Sequence, residues 1–263
     1  MYYQQICSDV RDIAKKVGEY LISENQKLKQ EDVQNKGLND FVTYVDKTAE
    51  KMIVDELSKI IIDAGFITEE KTLDYVESEF EWIIDPLDGT ANYIHGLSPY
   101  SISIALRRER EVVLGVVFEV VSNEMFYAWK NGGAWLNGRE ISVSKVDSLK
   151  SSFLATGFPY TDFSKLDEYM DMFAYLARNT QGIRRLGSAA IDLVYVACGR
   201  FDGFYEYGLN AWDVAAGSLI VKEAGGKITD FDGGDNWLFG KTIVAGNENI
   251  CHELTELCKE YFK

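Results

Sequence analysis

The chain has 263 residues, 46% of them apolar and 26% charged, with a formal net charge of −15. This is a globular rather than a disordered balance, and no run approaches the ~18 uninterrupted apolar residues of a membrane-spanning helix. The acidic surplus argues against a nucleic-acid partner, since neutralising a phosphate backbone needs surplus Lys and Arg, but it permits a phosphate substrate whose charge is met by bound cations.

From the N-terminus, Met1-Tyr2-Tyr3-Gln4-Gln5 lacks the basic and apolar regions of a secretory signal. Ile6, Val10, Ile13, Ala14, Val17 and Leu21 recur at helical spacing, as do Val45, Ala49, Met52, Ile53, Leu57, Ile60 and Ile61. The period then shortens. Phe80 to Ile84, Tyr100 to Leu106, Val112 to Val120 and Glu124 to Trp129 read as strands of an antiparallel meander, with turns at Asn131-Gly132-Gly133 and Asn137-Gly138. Beyond about residue 150, short strands (Ser152 to Thr156, Phe201 to Tyr205, Gly226 to Thr229, Thr242 to Ala245) alternate with helices near Leu166 to Arg178, Ser188 to Cys198, Trp212 to Glu223 and Glu248 to Tyr261. The expectation is a mixed α+β and α/β chain of two packed subdomains, 1–148 and 149–263, in layers. Cys7, Cys198, Cys251 and Cys258 show no paired zinc spacing and suit a reducing compartment, so a cytoplasmic location is expected. Asp232-Gly233-Gly234-Asp235 lacks the closing Glu of a calcium loop and reads as a turn. His95 and His252, the two histidines, lie far apart and are not expected to be catalytic.

The chemistry concentrates in Trp82-Ile83-Ile84-Asp85-Pro86-Leu87-Asp88-Gly89-Thr90-Ala91-Asn92. An apolar strand delivers Asp85 to its end, and Pro86, without an N–H, is expected to stop the ladder. Asp88 follows after one apolar residue, Gly89 allows positive φ, and Thr90 can open a helix whose first N–H groups face an anion. Two carboxylates beside such a turn suit Mg²⁺, a hard ion that takes carboxylate, carbonyl and phosphate oxygens. On Asp85-Pro86-Leu87-Asp88-Gly89 alone a plain turn is as good an explanation.

The longer string resembles the signature of the inositol monophosphatase family, and the likeness continues through Gly96, Pro99 and Ser101 to Ala105. A second signature is similar at Ala211-Trp212-Asp213-Val214-Ala215-Ala216-Gly217, with further matches at Lys36 through Asp46, Thr68-Glu69-Glu70, Gly187-Ser188-Ala189-Ala190 and Glu206. The resemblance implies a layered α-β-α-β-α sandwich of the sugar-phosphatase type and a site for two or three Mg²⁺ ions held by Glu69, Asp85, the carbonyl of Leu87, Asp88 and Asp213. It makes Thr90 and Asp46 the pair that orients and deprotonates the attacking water, with Glu69 also in the catalytic set. Lys36, Gly89, Gly187, Ser188, Ala189, Glu206 and Asp213 would meet the substrate, with Arg184 or Arg185 near phosphate or a partner subunit.

Each of these residues also has an ordinary structural explanation. Asp213 and Asp46 suit the first turn of a helix, Glu69 with Glu70 suits a solvated acidic face, and Lys36 a surface charge. The resemblance implies Mg²⁺-dependent hydrolysis of a small polyol phosphate by in-line attack of water, with lithium sensitivity and a homodimer. Ala91-Asn92-Tyr93 favours a cyclitol or sugar monophosphate, above all myo-inositol monophosphate. Fructose 1,6-bisphosphate, 3′-phosphoadenosine 5′-phosphate, histidinol phosphate and a lipid head group remain alternatives, as does a regulatory metal- and phosphate-binding protein without catalysis.

Overall fold

The computed structural model describes residues 3–28, 33–37, 40–159 and 162–263, with the backbone but not the side chains of 34–37 and 40–42. Two amphipathic helices lead, α1 (Tyr3–Asn25) and α2 (Tyr44–Ile60), on the apolar stripes expected of them. Between them β1 (Gln34–Gly37) pairs antiparallel with β2 (Asp40–Val42). Lys36 lies in β1, and its side chain is outside the described residues. A capping box starts α2: the Thr43 hydroxyl accepts from Val45 N at 3.0 Å, and Asp46 accepts from Thr43 N at 2.9 Å.

A seven-stranded sheet follows in chain order: β3 (Gly65–Thr68), β4 (Phe80–Asp88), β5 (Ser101–Arg108), β6 (Glu111–Glu119), β7 (Glu124–Trp129), β8 (Ala134–Leu136) and β9 (Arg139–Ile141). It departs from the expected meander at one edge, where β3 runs parallel to β4. It departs again at Pro86. The ladder breaks after Asp85 but resumes at Asp88, which pairs with Ser101 across a bulge. Pro86 thus bends the strand rather than ending it, because a bulge tolerates the missing N–H.

After the five-residue helix α3 (Thr90–Ile94), the second sheet draws on β10 (Phe153–Thr156), β11 (Gly182–Arg184), β12 (Gly203–Tyr207), β13 (Lys227–Thr229) and β14 (Thr242–Gly246). Its order is β11-β10-β12-β14-β13, parallel over the first three strands and antiparallel thereafter. The helices α4 (Leu166–Asn179), α5 (Ala189–Ala197), α6 (Ala211–Glu223) and α7 (Glu248–Tyr261) connect or follow its strands.

Three apolar cores stack these elements into five layers. α1 and α2 cover one face of the first sheet, burying Trp82, Ile84, Ile102, Ile104 and Leu106 against Val10, Leu21 and Ile53. α5 and α6 fill the space between the sheets, and α4 and α7 close the outer face of the second. The alternation along β5 explains the asymmetry: Ile102, Ile104 and Leu106 point one way, and Ser101, Ser103 and Ala105 the other. Those small residues, with Gly115 on β6 and Ala216 on α6, let helix and sheet approach closely, and Gly217 does the same for α6 against Leu193 of α5. No described helix is long and apolar enough to cross a membrane. The 230–236 segment is a turn, tied by Asp230, which accepts from the N–H groups of Asp232, Gly234 and Asn236 at 3.0, 2.7 and 3.1 Å.

All four cysteines are free thiols. Burial pushes Cys7 up from 9.0 to about 12 and also raises Cys251 and Cys258. The folded chain therefore keeps protons that unfolded thiols release, so this stabilisation is complete below about pH 9 and is lost as pH climbs towards 12. Denaturation midpoints are expected to fall across that window, less steeply in Cys7→Ala. Equal slopes in the two proteins would exclude Cys7 as a contributor.

Candidate active site

The site lies where the end of β4 meets the first turns of α5 and α6. Among the described residues, Asp85, Asp88 and Asp213 offer ligand atoms that all lie within 4.8 Å of one another. Each carboxylate is held by local structure. Asp85 Oδ1 accepts from Leu87 N at 2.9 Å, across the Pro86 bulge. Asp213 Oδ2 accepts from Asn210 N at 2.6 Å, closing a box at the start of α6, so the helix-terminus reading of this residue and its place in the acidic group hold together. Asp88 Oδ2 accepts from the Ser188 hydroxyl at 2.6 Å and from Ala190 N at 2.8 Å, which seats it on the N-terminus of α5.

Burial raises all three carboxyls. For Asp85, the charges of Glu69, Asp88 and Asp213 add to it, and for Asp213 that of Asp88. For Asp88, the Ser188 and α5 hydrogen bonds and the Arg185 charge work against burial. Crowding three carboxylates together, Asp85 and Asp88 buried and Asp213 half-buried, is costly unless a cation offsets it. An all-oxygen donor set of this kind suits a hard divalent ion rather than a thiolate-seeking one. The residues therefore fit a metal. Glu69 adjoins the group through Asp85, with which it shares a hydrogen bond, but is not one of the three mutually close ligands.

Next to the trio, the Thr90 hydroxyl lies 3.2 Å from Asp46 Oδ1 and 2.9 Å from the carbonyl of Leu87. One hydroxyl carries one proton, so it serves one of these acceptors at a time. Asp46 is fully buried, and its other oxygen takes the Thr43 hydroxyl at 2.6 Å. Burial raises the Asp46 carboxyl, and its bonds from Thr43 and Thr90 oppose that. Asp46 is thus both a helix-starting residue and the partner of Thr90.

Gly89 has φ 95, and a Cβ there would meet the carbonyls of Pro99 at 3.2 Å and Gly187 at 3.3 Å, so a bare α-carbon lets the two loops touch. Asn92 fastens them by donating to the carbonyls of Pro99 and Leu186 at 2.7 and 2.8 Å. Gly187 turns at φ 90. Ser188 and Ala189 are buried, and the Ser188 hydroxyl is engaged with Asp88. Glu206, on β12, is buried, and the charges of Asp213 and Asp88 raise it further, which sets its carboxylate at the edge of the trio. The Arg185 charge acts on Asp88, Asp192 and Glu206, whereas Arg184 packs over the Phe153 ring at 4.7 Å. His95 and His252 are exposed.

Several contributors carry no sequence signal. Asp192 is buried on α5 with an unpaired Oδ1, yet in the chain it looks like an ordinary first-turn acid. Glu50, fully buried on α2, accepts from Glu70 N and Thr72 N at 2.8 Å each and so shapes the loop that carries Glu69. Ser103 donates to the Trp212 carbonyl at 3.1 Å and fixes the entry to α6. Neither Glu50 nor Ser103 is adjacent in sequence to what it holds.

Comparison with known proteins agrees with this arrangement. The inositol monophosphatase family profile matches residues 3–261. An inositol-1-monophosphatase of Mesorhizobium japonicum is 39% identical over 248 residues, covering 94% of this chain and 93% of the relative. The Nus factor SuhB of Escherichia coli strain K12 is 42% identical over 238 residues, covering 90% and 89%. The crystal structure of the extragenic suppressor protein suhB from Bartonella henselae superposes with a TM-score of 0.90 at 38% identity, covering 97% of this chain and 99% of that one.

Proposed function

The chain belongs to the inositol monophosphatase family, and on that footing we propose that it hydrolyses the phosphate monoester of a small polyol, foremost myo-inositol monophosphate, with Mg²⁺. The observation that carries this reading is the convergence of Asp85, Asp88 and Asp213 within 4.8 Å beside the Thr90–Asp46 pair. Those three carboxylates, the Leu87 carbonyl and Glu69 would hold two or three ions. Bound there, Mg²⁺ supplies a Lewis acid that acidifies water and neutralises phosphoryl oxygens.

The remaining work falls to side chains. Donating its hydrogen bond to Asp46, the Thr90 hydroxyl offers a lone pair to water and orients it for in-line attack on phosphorus. Proton transfer then runs from that water through Thr90 to Asp46, whose position Thr43 fixes, while the ester P–O bond breaks and the departing polyol oxygen takes a proton from solvent. No side chain needs to become phosphorylated. Gly89 and Gly187 would meet the substrate through their backbones, their bare α-carbons letting the surrounding loops close on one another. Ser188 orients Asp88, Ala189 opens α5 beside it, and Lys36 lies upstream as a candidate phosphate contact. Glu206 and Asp213 would accept hydrogen bonds from polyol hydroxyls. A homodimer, lithium inhibition and a cytoplasmic location accompany this reading, as does a subdomain boundary between residues 148 and 149, where one sheet gives way to the other.

A regulatory role gains support from the 42% identity to a protein named as a Nus factor. All six of Asp46, Glu69, Asp85, Asp88, Thr90 and Asp213 are present, which favours catalysis.

Phosphate release from inositol 1-phosphate, fructose 1,6-bisphosphate, 3′-phosphoadenosine 5′-phosphate and histidinol phosphate, with Mg²⁺ or with chelator, tests the proposal. Metal-dependent turnover strongest on inositol 1-phosphate is expected. Preference for another substrate would change the polyol assignment, and no release by folded, Mg²⁺-binding protein would put the regulatory reading first.

A further inference from the structure

Thr156 at the end of β10 pairs with Tyr205 on β12, so Gly157 comes alongside Glu206. Gly157 is not among the residues with positive φ, so its backbone does not demand glycine. The space does. A Cβ built on Gly157 would overlap Oε1, Oε2 and Cδ of Glu206 together: the carboxylate lies flat against the bare α-carbon.

The turn beneath it is fastened from behind. The buried Tyr169 of α4 donates its hydroxyl to the Gly157 carbonyl, and Thr156 Oγ1 donates to the Tyr205 carbonyl at 2.7 Å. Phe158 packs edge-on against Tyr169, with ring centroids 6.0 Å apart. A side chain at 157 therefore cannot be absorbed by the turn. The part that yields is the carboxylate of Glu206, the far end of a flexible side chain.

We propose that Gly157 is a specificity-determining position: its bare α-carbon seats the Glu206 carboxylate where it meets a substrate hydroxyl, and any side chain there unseats it. This inference rests on the reading of Glu206 as a hydroxyl acceptor. Gly157 acts through Glu206 and is a positioning residue. A buried carboxylate misplaced by an ångström or more loses its charge-assisted hydrogen bond, an interaction that corresponds to roughly ten- to a hundredfold in binding.

The test compares inositol 1-phosphate with phenyl phosphate, which has no hydroxyl for Glu206, in wild type, Gly157→Ala, Glu206→Ala and the double variant. The ratio of kcat/KM for inositol 1-phosphate to that for phenyl phosphate is expected to fall about tenfold or more in Gly157→Ala, mainly through KM. In the Glu206→Ala background, where no side-chain acceptor is left to unseat, the same change should move the ratio less than about twofold. An unchanged ratio in Gly157→Ala, or an equal fall in both backgrounds, would overturn the proposal. A crystal structure of Gly157→Ala gives a readout independent of turnover, in which an unmoved carboxylate also overturns it. Should Gly157→Ala fail to fold, Glu206→Asp withdraws the carboxylate by one methylene without touching the turn and carries the same expectation. Failure of the wild-type protein to release phosphate from any polyol phosphate would instead sink the functional reading, leaving the seat itself to be judged by the crystal structure.

Discussion

Asp88→Asn is expected to abolish Mg²⁺-dependent phosphate release while leaving the chain folded. Losing the outer partner of a metal ligand already costs about 10–100-fold, so removing a ligand itself should exceed about a hundredfold. The fold should survive because the amide keeps an oxygen for the Ser188 hydroxyl and Ala190 N, both of which now bond one oxygen of Asp88. Its NH₂ then turns towards Asp85 and Asp213, where it cannot ligate a cation. Without metal the variant should be at least as stable as wild type, since burial already disfavours the Asp88 carboxylate and one of three crowded charges is gone. Phosphate release, Mg²⁺ titration calorimetry and thermal melts in chelator check the three parts. Wild-type turnover in the variant would remove Asp88 from the ligand set.

Gly115→Val is expected to be strongly destabilising and to weaken the site at a distance. A Cβ at Gly115 would stand 2.6 Å from the carbonyl oxygen and 3.0 Å from the α-carbon of Ala216. Gly115 is paired on both sides, with Ala105 and Ala128, so β6 is held within the sheet by ladders on either edge. Overpacking against soft side chains costs about 1–3 kcal/mol; here the obstacle is helix backbone, so the upper end or beyond is expected. α6 must lift, and Asp213 stands in the first turn of that same helix. Chemical denaturation and Mg²⁺ affinity should therefore deteriorate together, with Gly115→Ala intermediate. Wild-type stability in the valine variant would show that α6 is not pressed on β6 as described.

The elements legible in the sequence were those with long apolar periods: both leading helices, the long strands and the four later helices needed only spacing to be found. Some short edge strands escape it, although Gly226 to Thr229 is found. Gly65–Thr68 offers four residues, too few for a period to declare itself, and its parallel pairing depends on a neighbour rather than on its own composition. Pro86 was misread for a related reason, since a missing N–H ends a ladder only where no bulge can take it up. At the site, the residue types of the trio were visible because two signatures surround them. Their support was not. The bond from Ser188 to Asp88 spans 100 positions, and Glu50 reaches Thr72 across 22. Such contacts exist only after the elements that carry them have packed, and no local pattern encodes them.

The order in which the ribosome delivers these parts has its own consequence. Asp85 and Asp88 leave the exit tunnel early, on a strand whose neighbours β5 and β6 emerge directly after it. Asp213 arrives much later, on a helix that wedges between that sheet and one still lacking β14, the strand that joins β12 to β13. A half-made chain thus carries exposed small residues on one sheet face and two carboxylates with no third. Its nascent form should be both sticky and unable to retain a cation until nearly all of the polypeptide is out.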